Sequence, residues 1–65
     1  MRVLLRNPRR QLDVRGPLRV NALLRQLEIN RESVLVIRGD TLVPGNALLE
    51  DDDDVEVRPV ISGGA

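Results

Sequence analysis

Two stretches of this 65-residue chain combine residue types that suggest chemistry: the ending Ile61-Ser62-Gly63-Gly64-Ala65 and the acidic run Glu50 to Asp54. The remaining side chains limit what that chemistry can be. There is no cysteine and no histidine, and the ten basic residues are all arginine, so the chain has no general base near neutral pH and no usual covalent nucleophile. It is not equipped to be an enzyme by itself. What its ending supplies is shape. Gly63 and Gly64 lack Cβ and explore positive φ freely, so the last residues can extend through a narrow passage without steric penalty.

The carboxylates of Glu50 to Asp54 are hard ligands suited to a divalent cation, but their spacing lacks the alternation of an EF-hand loop, and a solvated turn is the simpler reading. The run is also suited to steering the chain toward a basic groove on a partner. Arg38-Gly39-Asp40 reads as a turn between strands in which Gly39 supplies positive φ. A formal net charge of +0 and the absence of any aromatic residue disfavour a nucleic-acid or membrane partner, since there is neither a basic field nor a stacking platform. The opening Met1 to Arg6 is too short and too soon interrupted by charge for a signal peptide or a membrane span, which predicts a cytoplasmic protein. Two readings of the missing lysine stand side by side: a bias toward arginine, and avoidance of amines that would intercept an activated acyl group.

The elements that must position the ending follow from periodicity. Val3 and Leu5, then Leu12 and Val14, alternate with polar neighbours as two half-buried strands, and Asn7-Pro8-Arg9-Arg10 between them predicts a tight antiparallel hairpin. Gly16-Pro17 stops the second strand. Val20, Leu23, Leu24 and Leu27 then fall on one face of a helix over about residues 18 to 28, with Asn30 as the residue that leaves it in a left-handed conformation. Val34 to Ile37 predicts a third strand, Thr41 to Val43 a short one ended by Pro44-Gly45, and Val55 to Arg58 a last, alternating strand.

With the last strand returning beside the first and the helix packed on one side, this order gives an α+β fold: a ubiquitin-like β-grasp with a mixed sheet of four to five strands on one helix. Residues 1–60 form the predicted domain, and 61–65 a flexible diglycine tail. A ferredoxin-type split fold needs a second helix, for which the breakers and aspartates of residues 44 to 54 leave no room.

The helix with its Leu23-Leu24 pair, the segment Asn30 to Val36, the stretch Leu49-Glu50-Asp51 to Val55-Glu56-Val57, and Gly63-Gly64 together resemble the ThiS/MoaD family of ubiquitin-like sulfur carriers over essentially the whole chain. The opening MRVLLR and the ending VISGG are most similar to members serving thiamine synthesis or transfer-RNA thiolation, ahead of the molybdopterin type. The resemblance implies that an adenylating, ubiquitin-activating-like enzyme uses ATP and Mg to activate the carboxylate of Gly64. A sulfur donor then makes a thiocarboxylate, and a downstream sulfur-accepting enzyme consumes it. The chain itself would bind no cofactor.

Ala65 departs from that pattern, because the reactive carboxyl then lies one residue beyond Gly64 and carries a methyl branch. A processing metalloprotease that cuts between Gly64 and Ala65, an artificial or blocking addition, and a tolerated or function-losing extra residue all account for it. Two rival functions remain open at this point: a ubiquitin-like modifier conjugated to lysines after removal of Ala65, and a noncatalytic β-grasp interaction module. For docking, Leu4, Val36, Arg58, Val60 and Ile61 are expected to form an exposed apolar patch beside the tail, with Ile61 and Ser62 guiding Gly63 and Gly64. Glu28 stands where the family commonly places a helix-ending glycine.

Overall fold

A computed structural model describes residues 1–6 and 9–60. Strand β1 (Arg2–Leu5) and strand β2 (Arg10–Asp13) pair antiparallel with Val3 opposite Leu12, as the alternation predicts. Residues Asn7 and Pro8 of the predicted turn lie outside the described residues. A two-residue strand β3 (Leu18–Arg19) leads into helix α1 (Val20–Gln26). Then come a 3-10 turn (Arg31–Ser33), β4 (Val34–Arg38), β5 (Thr41–Val43), β6 (Leu48–Leu49) and β7 (Asp54–Pro59).

The main sheet is five-stranded, in the order β2-β1-β7-β4-β5. Its two central strands are the first and last of the chain: β1 and β7 run parallel with Val3 beside Val55 and Leu5 beside Val57, while every other pairing is antiparallel. Parallel neighbours require a crossover, and residues 18 to 33, which include α1, provide it on the covered face. The core is wholly aliphatic. Val20, Leu23 and Leu24 from the helix meet Val3, Val36, Val55 and Val57 from the sheet, closed at one end by Met1, Val14 and Leu49. This is the ubiquitin-like β-grasp.

The helix is shorter than its apolar periodicity suggests, for a reason at each end. At the start, Leu18 and Arg19 pair with Leu49 and Leu48 of β6 and so adopt extended backbone. This small second sheet is invisible to periodicity because each strand has only two residues. At the other end Glu28, not Asn30, takes the left-handed conformation, with φ of 59°. The amides of Leu27, Glu28 and Ile29 donate back to the carbonyls of Leu23, Arg25 and Leu24, which closes the helix one turn before Asn30. Asn30 instead accepts the Glu32 amide at 3.0 Å through its side chain and caps the 3-10 turn.

The acidic run forms a turn without left-handed backbone: among the described residues Glu28 alone, apart from glycine, has positive φ. The turn closes by hydrogen bonds instead, the Glu50 amide donating to Asp53 Oδ2 at 2.8 Å and the Asp53 amide to the Glu50 carbonyl at 3.1 Å. Gly39, by contrast, takes positive φ (65°) in the β4–β5 turn, as predicted.

Holding a glutamate in the left-handed region costs about 1 kcal/mol relative to glycine. Glu28→Gly is therefore expected to stabilise the domain by about 1 kcal/mol, read as a higher urea midpoint by far-ultraviolet circular dichroism; an unchanged or lower midpoint would contradict the strain at this residue.

Candidate functional site

Strand β7 carries the chain to its ending, so the site is built around where that strand stops. At its last turn the Val60 amide donates to the Ser33 carbonyl at 2.8 Å, fixing the exit point against the 3-10 turn. Val60 itself is 44% exposed. Ile61, Ser62, Gly63, Gly64 and Ala65, the predicted tail and its processing position, lie outside the described residues.

Successive residues of a strand point to opposite faces, and the burial pattern sorts β1, β4 and β7 by this rule. Val3, Val36, Val55 and Val57 face the helix. Leu4, Leu35, Ile37, Glu56 and Arg58 face away from it, with Leu4 and Ile37 both beside Glu56 and Leu35 beside Arg58. Of the residues expected in an exposed patch, Leu4 is on the outward face but half-buried, Arg58 is on that face and exposed, Val60 is exposed just past the strand, and Val36 is in the core. Val36 is only 4% exposed, whereas its neighbour Leu35 is 44% exposed. The run Val34 to Ile37 is apolar on both faces, so alternation gave no way to choose the register, and its pairing with β7 chooses it.

At the centre of the outward face Glu56 Oε2 accepts two guanidinium bonds, from Arg58 Nε at 2.7 Å and from Arg6 Nε at 2.8 Å. The bond from Arg58, aided by that from Arg6 and by both positive charges, holds the Glu56 carboxyl below the usual glutamate range against the opposing effect of desolvation. Sequence reading missed this group. The Glu56–Arg58 half was legible as an i, i+2 pair on one strand face, but Arg6 enters only through the β1–β7 register. Because both arginines bond through Nε, their terminal Nη groups hold no hydrogen bond among the described residues.

Charges segregate along the strand axis. Arg6, Arg10 and Arg58 lie toward the end where β7 stops, with Arg31 and Glu32 in the 3-10 turn beside it and Glu56 at mid-strand. Asp13, Asp40 and the run Glu50 to Asp54 lie at the other end, with Arg2, Arg15 and Arg38. There Asp51 accepts the Gly16 amide at 2.7 Å and stands 3.6 Å from the Met1 ammonium. The Gly16 bond, then the ammonium charge, lower its pKa. The acidic run therefore sits about 20 Å from the exit, the length of the six-residue β7. The run and the exit are thus at opposite ends of the strand. Among the described residues no group of three or more acidic side chains is arranged to hold a metal ion, and no helix is long and apolar enough to cross a membrane.

A mixed sheet packed on one helix, with the last strand at its centre, defines a ubiquitin-like β-grasp protein. The ThiS family matches residues 3–64. The chain is 37% identical over 65 residues to the sulfur carrier protein TtuB of Thermus thermophilus, an alignment spanning 98% of this chain and 100% of that protein. The chain belongs to the ThiS family.

The reassigned register has a direct test. Val36→Asp places a carboxylate in an aliphatic core without a partner and is expected to abolish cooperative folding, while Leu35→Asp leaves the circular dichroism spectrum and thermal transition near wild type. The reverse pattern would restore the original assignment of faces.

Glu56 gives a second expectation. Its pKa is lowered in the folded state, so its contribution to stability is fully present above the ordinary glutamate pKa and is lost as pH falls through the lowered one. Glu56→Gln should lower stability at neutral pH and flatten the fall of stability in the acid range, measured by urea titrations from neutral pH downward. An unaltered acid limb would mean that the two arginine bonds carry no linkage.

Proposed function

We propose that this chain is a sulfur carrier, worked on by other enzymes at the carboxyl group of Gly64. The observation that most supports this reading is the end-to-end similarity to a protein named as a sulfur carrier. The family match itself extends through Gly64.

A carboxylate resists nucleophiles because it is negatively charged and has no good leaving group. In this reading a partner enzyme supplies what the chain lacks. The Gly64 carboxylate oxygen attacks the α-phosphorus of Mg-bound ATP, pyrophosphate leaves, and a mixed anhydride with AMP results. A sulfur donor then attacks the acyl carbon and expels AMP, leaving a thiocarboxylate for a downstream sulfur-accepting enzyme. With no cysteine, histidine or lysine, the chain offers no side chain that competes for this activated acyl group. Its own part is to present a slender terminus from a rigid sheet and to be gripped by the outward face, through Leu4, Leu35, Arg58 and Val60. Ala65 must be removed first, a step suited to a processing metalloprotease, because it displaces the reactive carboxyl from Gly64.

The test uses two forms of the chain, one ending at Ala65 and one ending at Gly64. Each is incubated with ATP, Mg²⁺, the adenylating enzyme of the same organism and sulfide, then analysed by mass spectrometry. The expected result is one sulfur-for-oxygen exchange in the C-terminal peptide of the form ending at Gly64 and none in the other. Lysine-linked adducts without any exchange would replace the carrier reading with that of a protein modifier. Neither product would leave a noncatalytic interaction module.

A further inference from the structure

The outward face holds an arrangement that the carrier reading does not by itself require. Arg6 and Arg58 are both drawn to one oxygen of Glu56 through Nε, at 2.8 and 2.7 Å. This orients the two planar guanidinium groups while leaving their Nη edges free of protein partners among the described residues. An edge of this kind matches a carboxylate in a bidentate geometry that a flexible lysine does not reproduce. Both side chains are about half exposed, at 47% and 52%. Exposed Leu35 is the cross-strand neighbour of Arg58, and Val60 lies two residues along the chain. The surplus of arginine is on the side where the chain leaves the sheet, and the acidic run is at the far end of β7.

We propose that the protein which receives the ending grips this face with an acidic rim, one carboxylate on the free edge of Arg6 and one on that of Arg58, around an apolar contact with Leu35 and Val60. This deepens the carrier reading and rests on it. The charge segregation gives the encounter a direction. An acidic rim attracts the arginine end and repels the acidic run, so the domain approaches with its ending forward. Complementary charge of this sort acts mainly on association rate and is screened by salt. Phosphates of RNA would also bind guanidinium groups. The chain's zero net charge, the lack of any aromatic platform and the apolar neighbours of the two arginines favour a protein surface.

The experiment measures kcat and KM for the chain ending at Gly64 as substrate of the adenylating enzyme, at low and at high salt. For Arg6→Gln/Arg58→Gln we expect KM at low salt to rise about tenfold or more, its salt dependence to shrink, and kcat at saturating carrier to stay near wild type. The lysine pair Arg6→Lys/Arg58→Lys should recover the salt dependence but only part of the KM, since charge returns without the fork. Asp52→Asn, at the far end, should not raise KM, because it removes only a charge that the rim repels. Thermal transitions check that each variant is folded, and the single arginine variants replace the double one if it is not. A KM and salt dependence equal to wild type in the double variant, or an equal loss in Asp52→Asn, overturns the proposal while the carrier reading stands. Binding of a fluorescent transfer RNA that is lost in the double variant overturns it in favour of phosphate recognition. If the enzyme does not activate even the wild-type chain, the carrier reading fails and the proposal with it.

Discussion

The parallel ladder between β1 and β7 is the contact on which the rest of the structure depends. It joins the first strand of the chain to the last, Arg2 beside Asp54 through Leu5 beside Val57, and makes them the central pair of the sheet. Everything else is hung on its two sides, β2 on β1 and β4 on β7. Val3, Val55 and Val57 come from this pair and are nearly inaccessible to solvent, so the ladder also supplies the floor on which Leu23 and Leu24 rest. Without aromatic side chains or disulfides, a domain this small has few other sources of burial. The same ladder settles which way the chain faces when it leaves the sheet, and it brings Arg6 within bonding distance of Glu56.

Two demands meet on β7. Its inward residues must pack as aliphatic core, and its outward residues must offer something a partner can recognise. Alternation lets one six-residue strand satisfy both, with Val55 and Val57 on one face and Glu56 and Arg58 on the other. The cost of a charged outward face is low here because Glu56 bonds two arginines at once, leaving a single net positive charge, while remaining partly accessible, at 20%. Exposed ion pairs of this kind add little to stability. Their value is in fixing side-chain direction.

Much of this was legible from residue order. The hairpin, the amphipathic helix and the three main-sheet strands after it follow from apolar spacing and turn residues, which are local patterns, and the return of the last strand beside the first follows from how such elements connect. The failures have specific physical causes. Val34 to Ile37 is apolar at every position, so nothing in the run distinguishes its faces, and Val36 and Leu35 exchange roles once β7 sets the register. The β3–β6 pairing joins segments too short for any period to appear, and it takes Leu18 and Arg19 from the predicted helix. Glu28 adopts a conformation its own chemistry does not favour; tertiary closure of the helix end overrides the preference that pointed to Asn30. The Arg6–Glu56–Arg58 group is a product of three-dimensional register, and no spacing along the chain encodes it.

The central position of β7 also has a bearing on time. During synthesis β1 is made first, yet its parallel neighbour is the last strand to be made, so the interior of the sheet stays unfilled until nearly the whole chain exists. Closing so long a loop carries a conformational entropy cost that local pairing of β1 with β2 does not offset. A prematurely terminated product therefore lacks the middle of its own sheet and remains a substrate for proteolysis. Completion of the sheet thus waits on the strand that immediately precedes the ending.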